Sequence, residues 1–452
     1  MHTKIIRDIA LVFLLVFLTA QTVFAEDNTA SFLAVSDIHF DPFQFCGDSS
    51  PCKLIETLNS VPASRWNEIL SQDIDHSPSS GHDSSYQFLE FALTGLQKQA
   101  DASHVRFAII TGDFLGHHYK DLYFKYASDQ TLEGYQTFVQ KTFNFLTGEI
   151  ARTLPNVDVY SVMGNNDSYS GDYNLTDLPK FSEDLASTWS TLIRNKQNKT
   201  SFQTQFKHAG YYAVKVPGAK NLLLVGLNST VFSKSAEGGN YADMAQEQLQ
   251  FLHDTLAAAQ KRHQKVLIIA HIPDIVDAAS SIKSDPYQTQ KYWRPQYSER
   301  FQQELYNYSS VIVGIIAGHL HLDWFHVVNN IPVASITSLS TLFNNSGFKI
   351  FTYSLLTDQL INYETYYQSP STSNQWRLEY DFNQTYQPGC SSCKLVDGMN
   401  SLARTGDLVN SYIKYYQISA ESPITPANWP YYWCSIHHNS VSDYEACLTT
   451  SD

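Results

Sequence analysis

Five apolar runs of strand length punctuate the chain, and each one stops at a polar residue able to ligate a metal ion. Residues 32–36 (FLAVS) run into Asp37-Ile38-His39, and residues 105–111 (VRFAIIT) into Gly112-Asp113. Residues 157–162 deliver Gly164-Asn165-Asn166-Asp167, residues 265–270 (KVLIIA) deliver His271-Ile272-Pro273, and residues 311–317 deliver Gly318-His319-Leu320-His321. Continuous, mostly β-branched runs of this length predict strands buried on both faces. Between them the spacing turns helical: Tyr86, Leu89, Leu93 and Leu96 mark a helix over 84–100, and similar patterns predict helices near 134–154, 178–196, 242–261 and 298–308. Residues 211–216 and 222–227 flank Pro217-Gly218 as a hairpin that opens a second sheet, with further strands at 333–337, 348–354 and 361–366. Strands alternating with helices predict an α/β (α+β) fold, which places sites at the carboxyl ends of its strands.

The two ends of the chain read differently. Residues 1–25 have Lys4 and Arg7, an apolar run over 9–18 and Val23-Phe24-Ala25, the pattern of a signal peptide. The run is too short to span a bilayer, and no other stretch approaches that length, so a secreted chain without stable membrane insertion is expected. Residues 26–370 are expected to form the catalytic domain. Beyond Gln368 a Ser/Thr/Asn/Gln-rich stretch leads to residues 371–452, expected to be a small helical cap with a helix over 398–416. Residues 46–82, rich in Ser, Pro and Asp, read as a long loop over the site with one helical patch near Trp66.

Composition narrows the partners. With 452 residues, 43% of them hydrophobic, the chain has ample core, and its formal net charge of −14 does not favour a nucleic-acid duplex or an anionic membrane. An anionic substrate must be drawn by a local positive centre. Six cysteines in an exported chain predict disulfides, most simply Cys46 with Cys52, Cys390 with Cys393 and Cys434 with Cys447. A four-cysteine zinc site at the C-terminus competes with that reading. Sequons occur at Asn166, Asn174, Asn198, Asn228, Asn307, Asn344 and Asn383. Oligomeric state is left open.

Gathered together, the strand ends offer Asp37, His39, Asp113, Asn165, His271, His319 and His321. Seven N/O donors, four of them imidazoles, suit two metal ions with one carboxylate bridging. Two such ions about 3.5–4 Å apart activate a water and clamp a phosphoryl group for in-line attack. The expected chemistry is hydrolysis of a small anionic phosphate compound.

The ordered motifs D-x-H, G-D, G-N-[HN]-D, H-x-P and G-H-x-H resemble those of the calcineurin-like metallophosphoesterases, over roughly residues 31–340. The D-x-H-x-D-P at Asp37, G-D-x-x-x-H at Gly112, H-I-P at His271, G-H-x-H-x-D at Gly318 and the Cys-rich tail resemble the acid sphingomyelinase-like phosphodiesterases within them. That resemblance implies a four-layer double β-sandwich flanked by helices, with a disulfide-stapled helical cap. It implies one metal on Asp37, His39, Asp113 and His321, and another on Asp113, Asn165, His271 and His319. It also implies zinc, with Mn2+ or Fe2+ as alternatives. The purple acid phosphatases place a tyrosine where this chain has Gly116, which argues against an iron-tyrosinate centre.

One position departs from the family. Where histidine usually follows the ligand asparagine, this chain has Asn166, which donates a hydrogen bond but cannot deliver a proton at a useful pKa. His117 is then the candidate general acid, with an ordinary surface histidine as the alternative. The G-N-N-D wording is similar to that of endopolyphosphatases and points toward phosphoanhydrides; sphingomyelin or another choline phosphodiester is the second choice, because no lipid-presenting saposin segment precedes the first strand. A weakly active, metal-retaining binding protein is the rival of another class. Asp167 reads as an orienting carboxylate, and Asp41 and Asp323 as partners of the ligands or simple turn-formers. Tyr169, Tyr173, Trp293 and Trp324 read as core, with stacking on a base as the alternative.

Overall fold

Among the residues described in the computed structural model (28–72, 81–369, 375–390 and 392–450), twelve strands form two six-stranded sheets. In chain order they are β1 (Thr29–Val35), β2 (Phe107–Ile110), β3 (Asp158–Ser161), β4 (Tyr212–Lys215), β5 (Leu222–Gly226), β6 (Lys265–Ala270), β7 (Ile312–Ala317), β8 (Phe325–Val328), β9 (Ile331–Ser335), β10 (Ser346–Ser354), β11 (Leu360–Gln368) and β12 (Arg377–Asp381). The first sheet runs β12-β11-β10-β1-β2-β3 with β1, β2 and β3 parallel; the second runs β4-β5-β6-β7-β9-β8 with β5, β6, β7 and β9 parallel. The parallel strands are the continuous apolar runs, buried on both faces as such strands must be.

The sheets meet face to face. A Cβ on Gly314 of β7 would come within 2.6 Å of Leu360 Cδ1 on β11, so the glycine lets the layers approach. Helix Tyr86–Ala102, capped by the Ser85 hydroxyl accepting from the Phe88 N–H at 3.2 Å, lies against β1, and helix Tyr241–Lys261 lies against β6. The arrangement is a mixed α/β fold of two mixed sheets flanked by helices.

Several expectations are revised. Within 46–82, helix Trp66–Leu70 is the helical patch expected, whereas helix Lys53–Ser60 was not anticipated; together they bury Ile55, Leu58, Trp66 and Leu70. Trp66 packs on Phe138 and Phe145 of helix Leu132–Thr153. Two strands were not anticipated, the short β8 directly after the histidine loop and β12 within the tail. Strand β12 lies in the tail and pairs with β11 as an edge strand of the first sheet. The helix expected over 398–416 is two helices, Leu395–Asn400 and Asp407–Tyr415, separated at Gly406, whose φ of 128° helical backbone cannot accommodate.

Bridges join Cys46–Cys52, Cys390–Cys393 and Cys434–Cys447, the last tying helix Trp429–His437 to helix Val441–Thr449. The four C-terminal cysteines therefore form no zinc site. Among the described residues, no helix is long and apolar enough to cross a membrane. The leader expected over 1–25 lies outside the described residues.

Candidate metal centre

All seven candidate ligands leave strand ends on the side where the two sheets' parallel strands terminate. Five of them hold left-handed backbone: Asp37 (φ 52°), His39 (44°), Asp113 (55°), His319 (74°) and His321 (57°). Each such non-glycine conformation costs on the order of 1–2 kcal/mol and persists where surrounding structure enforces it. Here the enforcement is visible: the Asp37 N–H donates to Gly112 O at 3.0 Å and the His39 N–H to Asp113 O at 2.9 Å. Gly318 is needed for its missing side chain, because a Cβ there would overlap the Ser36 hydroxyl and come 2.7 Å from Asp37 Oδ2. The bend lies in His319 and His321 themselves.

The Asp113 carboxylate stands at the centre, with Oδ2 3.2 Å from His271 Nε2 and 3.6 Å from His39 Nε2. On one side His321 Nε2 lies 3.2 Å from Asp37 Oδ1 and 3.2 Å from His39 Nε2. On the other, His271 Nε2 lies 3.0 Å from Asn165 Oδ1, and one donor atom each of Asp113, His271 and His319 falls within 4.8 Å of the others. His39 Nδ1 bonds Leu115 O at 3.0 Å and His271 Nδ1 bonds Thr111 O at 2.7 Å. Each Nδ1 therefore carries the hydrogen, and each Nε2 turns its lone pair inward, the orientation found for ligating imidazoles.

This donor set fits divalent ions. Lone pairs of His271, Asn165 and Asp113 converge on one region, and those of His39, His321 and Asp37 on another, which only a positive centre can reconcile. Asp37 Oδ1 and His321 Nδ1 are buried with no hydrogen-bond partner among the described residues. The charges agree. Burial pushes the carboxyls of Asp37 and Asp113 up, but the His321 imidazole beside the first and the His271 imidazole beside the second hold both below the ordinary range. Burial likewise lowers the imidazoles, yet the same carboxylates raise His39 to about 10 and His271 to about 9, while burial and His271 take His319 down to about 3. Without a metal ion the cage gathers protons instead.

Around the cage, the Asp167 carboxylate accepts backbone N–H groups of Asp113 (2.9 Å), Phe114 (2.8 Å), Leu115 (3.2 Å) and Gly164 (2.9 Å), and so ties together the loops after β2 and β3. Asn166 is buried; its N–H and Nδ2 both donate to Asp113 at 2.9 Å, leaving no room for a glycan. The His117 ring stacks on His39 with centroids 4.0 Å apart, and its Nδ1 lies 3.0 Å from Asp83 Oδ1. Exposed His118 faces solvent.

Asp41 and Asp323 are not partners of the ligands. Asp41 accepts the Phe43 N–H at 2.8 Å as a turn-former, and burial takes its carboxyl up to about 7. Asp323 pairs at 2.7 Å with buried Lys349 on β10, a residue far along the chain. Of the four aromatic candidates, Tyr169, Trp293 and Trp324 are core, whereas the Tyr173 hydroxyl reaches His319 Nε2 at 3.3 Å. The sequence reading missed Asp83, Tyr292 and Asp172. Tyr292 sets its ring edge-on to His319, and Asp172 accepts from Asn165 Nδ2 at 2.8 Å and so turns Asn165 Oδ1 into the cage. No local signal marks them.

A cage of aspartates, imidazoles and an asparagine at the ends of two facing mixed sheets defines a metallophosphoesterase. The family profile described as Calcineurin-like phosphoesterase matches residues 30–323, and the chain belongs to that family. The human acid sphingomyelinase-like phosphodiesterase 3b is 23% identical over 94% of this chain and 92% of its own length. The human cyclic GMP-AMP phosphodiesterase SMPDL3A is 25% identical over 87% of this chain and 84% of its own length. A dimetal phosphatase from Danio rerio superposes with a TM-score of 0.45 at 13% identity, over 75% of this chain and 96% of that one. The protein is a metal-dependent phosphoric ester hydrolase, and its family implies a dinuclear divalent site.

Proposed function

We propose that this protein is a secreted phosphohydrolase that uses two zinc ions to cleave phosphodiester or phosphoanhydride bonds of small soluble substrates such as nucleotides. The observation that carries the reading is the Asp113 carboxylate set between His39 and His271, with Asp37 and His321 beyond one side and Asn165 and His319 beyond the other. Asp37, His39, Asp113 and His321 would hold one ion, and Asp113, Asn165, His271 and His319 the second. Zinc is preferred over Mn2+ or Fe2+ because four of the seven donors are imidazoles. Bound there, the ions supply Lewis acidity toward a phosphoryl oxygen and lower the pKa of a water.

The chain's own residues do the rest. Asn166 and Asp167 hold Asp113 in place by the bonds described above. Asp83 accepts the hydrogen on His117 Nδ1, so that the ring, when it carries a second hydrogen on Nε2, would pass that one to the departing oxygen and return to the neutral imidazole. A leaving group as good as pyrophosphate needs little such help, in keeping with an asparagine at position 166. Relatives named as phosphodiesterases, one of cyclic GMP-AMP, support the substrate class. The leader pattern together with three disulfides supports export. Residues 26–370 act as the catalytic unit and 371–452 as its appended cap.

The test is turnover by the purified protein, stripped and then loaded with Zn2+, Mn2+ or Fe2+, on bis-p-nitrophenyl phosphate, ATP and sphingomyelin vesicles. Metal-dependent hydrolysis of the first two is expected. Hydrolysis of sphingomyelin alone would move the substrate to choline phosphodiesters, and no hydrolysis in any loaded form would leave a metal-binding protein.

A further inference from the structure

The cage is polar and buried, yet an apolar ring stands at its rim. Phe343, in the loop between β9 and β10, is 62% exposed, and its ring meets His321 at 5.2 Å and His117 at 5.5 Å between centroids, both edge-on. A single exposed apolar side chain is ordinary on a protein surface. This one is in ring contact with a candidate ligand and with the candidate acid.

Its position is held from several sides. Asn344 Nδ2 donates to His321 O at 2.6 Å, Asn345 Nδ2 to Ile418 O at 2.7 Å, the Leu342 N–H to the Ser340 hydroxyl at 3.2 Å, and the Gly81 N–H to Thr341 O at 2.9 Å. A loop tied to the histidine loop on one side and to the C-terminal segment on another does not expose a phenyl ring through slack. Beside His117 and Asn166 a cavity of about 240 Å3 opens, walled also by Asp172 and by Lys120, whose ammonium bonds Ser170 O at 3.1 Å. His117 borders both features, so an aromatic rim and a polar cavity flank the place where a phosphorus would react.

We infer that Phe343 is a specificity-determining residue: it stacks a planar ring, a nucleobase or an aryl group, carried by the phosphate compound held at the metal centre. The inference rests on the phosphohydrolase reading and narrows it to substrates with a flat substituent. Stacking on an aromatic side chain accepts any base, because every base offers a π-face, so the selection is for flatness rather than for base identity.

The experiment measures binding of adenosine 5′-monophosphate and of inorganic phosphate to the zinc-loaded full chain by calorimetry, for the unaltered protein, Phe343→Ala and Phe343→Trp. The expected result is that Phe343→Ala weakens the nucleotide about tenfold and leaves inorganic phosphate unchanged, while Phe343→Trp keeps the nucleotide at least as tight. Equal weakening of both ligands by Phe343→Ala would make Phe343 a mere prop for His321 and overturn the inference, as would no weakening of either. These ligands need no turnover to be measured. Failure of the hydrolase reading shows separately, as absent turnover in the unaltered protein.

Discussion

Two clusters of buried charge lie close together in the sequence, and the protein treats them in opposite ways. In the first, Lys349 donates to both Asp323 oxygens and to the Thr365 hydroxyl at 2.7 Å, Thr365 and Tyr380 donate to Asp323 at 2.9 and 3.1 Å, and the Tyr363 ring lies 4.0 Å from the ammonium. Its donors and acceptors are matched, and one cation answers one anion. In the metal centre, whose last ligand His321 stands two residues before Asp323, acceptors face acceptors, two polar atoms are orphaned and five residues hold left-handed backbone. A closed polar network is structural, whereas one closed only by an added cation is a site.

The sharpest way to break this comparison is Asp113→Asn. We expect turnover to fall about a thousandfold or more, because the carboxylate central to both halves is gone. Retained turnover within tenfold, with metal content unchanged by elemental analysis, would show that the cage is not what it resembles.

Lys349→Met is the converse. Breaking a buried pair leaves Asp323 charged and alone, so about 3–5 kcal/mol of stability should be lost in urea titrations, with turnover per folded molecule kept. Adding Asp323→Leu should recover most of the loss. A stable single variant with lost metal would reverse the assignment of the two clusters.

His117→Ala should cost about a hundredfold on alkyl phosphodiesters and far less on p-nitrophenyl esters, whose leaving group needs no proton. Asp83→Asn should follow the same split with a smaller loss. Equal losses on both ester types would remove His117 from the acid role.

The last effect, small over any one pH unit, concerns the edge of the Lys349 cluster. Burial, and after it the Asp323 charge, raises Glu379 from the usual 4.5 to about 8. The folded state then keeps a proton that the unfolded chain has released, so this contribution is full below pH 4.5 and is lost as pH rises toward 8. Against Glu379→Gln, the native protein should lose up to about 1.4 kcal/mol per pH unit across that window. A difference flat in pH would show Glu379 to be solvated.

Much of this was legible in the chain itself. The strand that leads to His271 announces itself by five consecutive core positions after Lys265, and the one that leads to His319 and His321 by six. The disulfides join cysteines 3, 6 and 13 residues apart, so proximity in sequence sufficed. Of the two roles left open for Asp41 and Asp323, Asp41 takes the turn-forming one, while Asp323 takes neither and pairs with Lys349. Left-handed turns at His39 and His321 direct the following residues elsewhere.

Local pattern determined which segments become buried strands, and which donor types stand at their ends, because periodicity and turn chemistry are properties of neighbouring residues. Only the tertiary structure decided which donors meet. His39 and His321 face each other across 282 positions, Asp83 reaches His117 across 34, and Lys349 finds Asp323 rather than a carboxylate of the cage. Such encounters depend on strand order, register and the backbone twist at single residues, and no run of adjacent side chains encodes them.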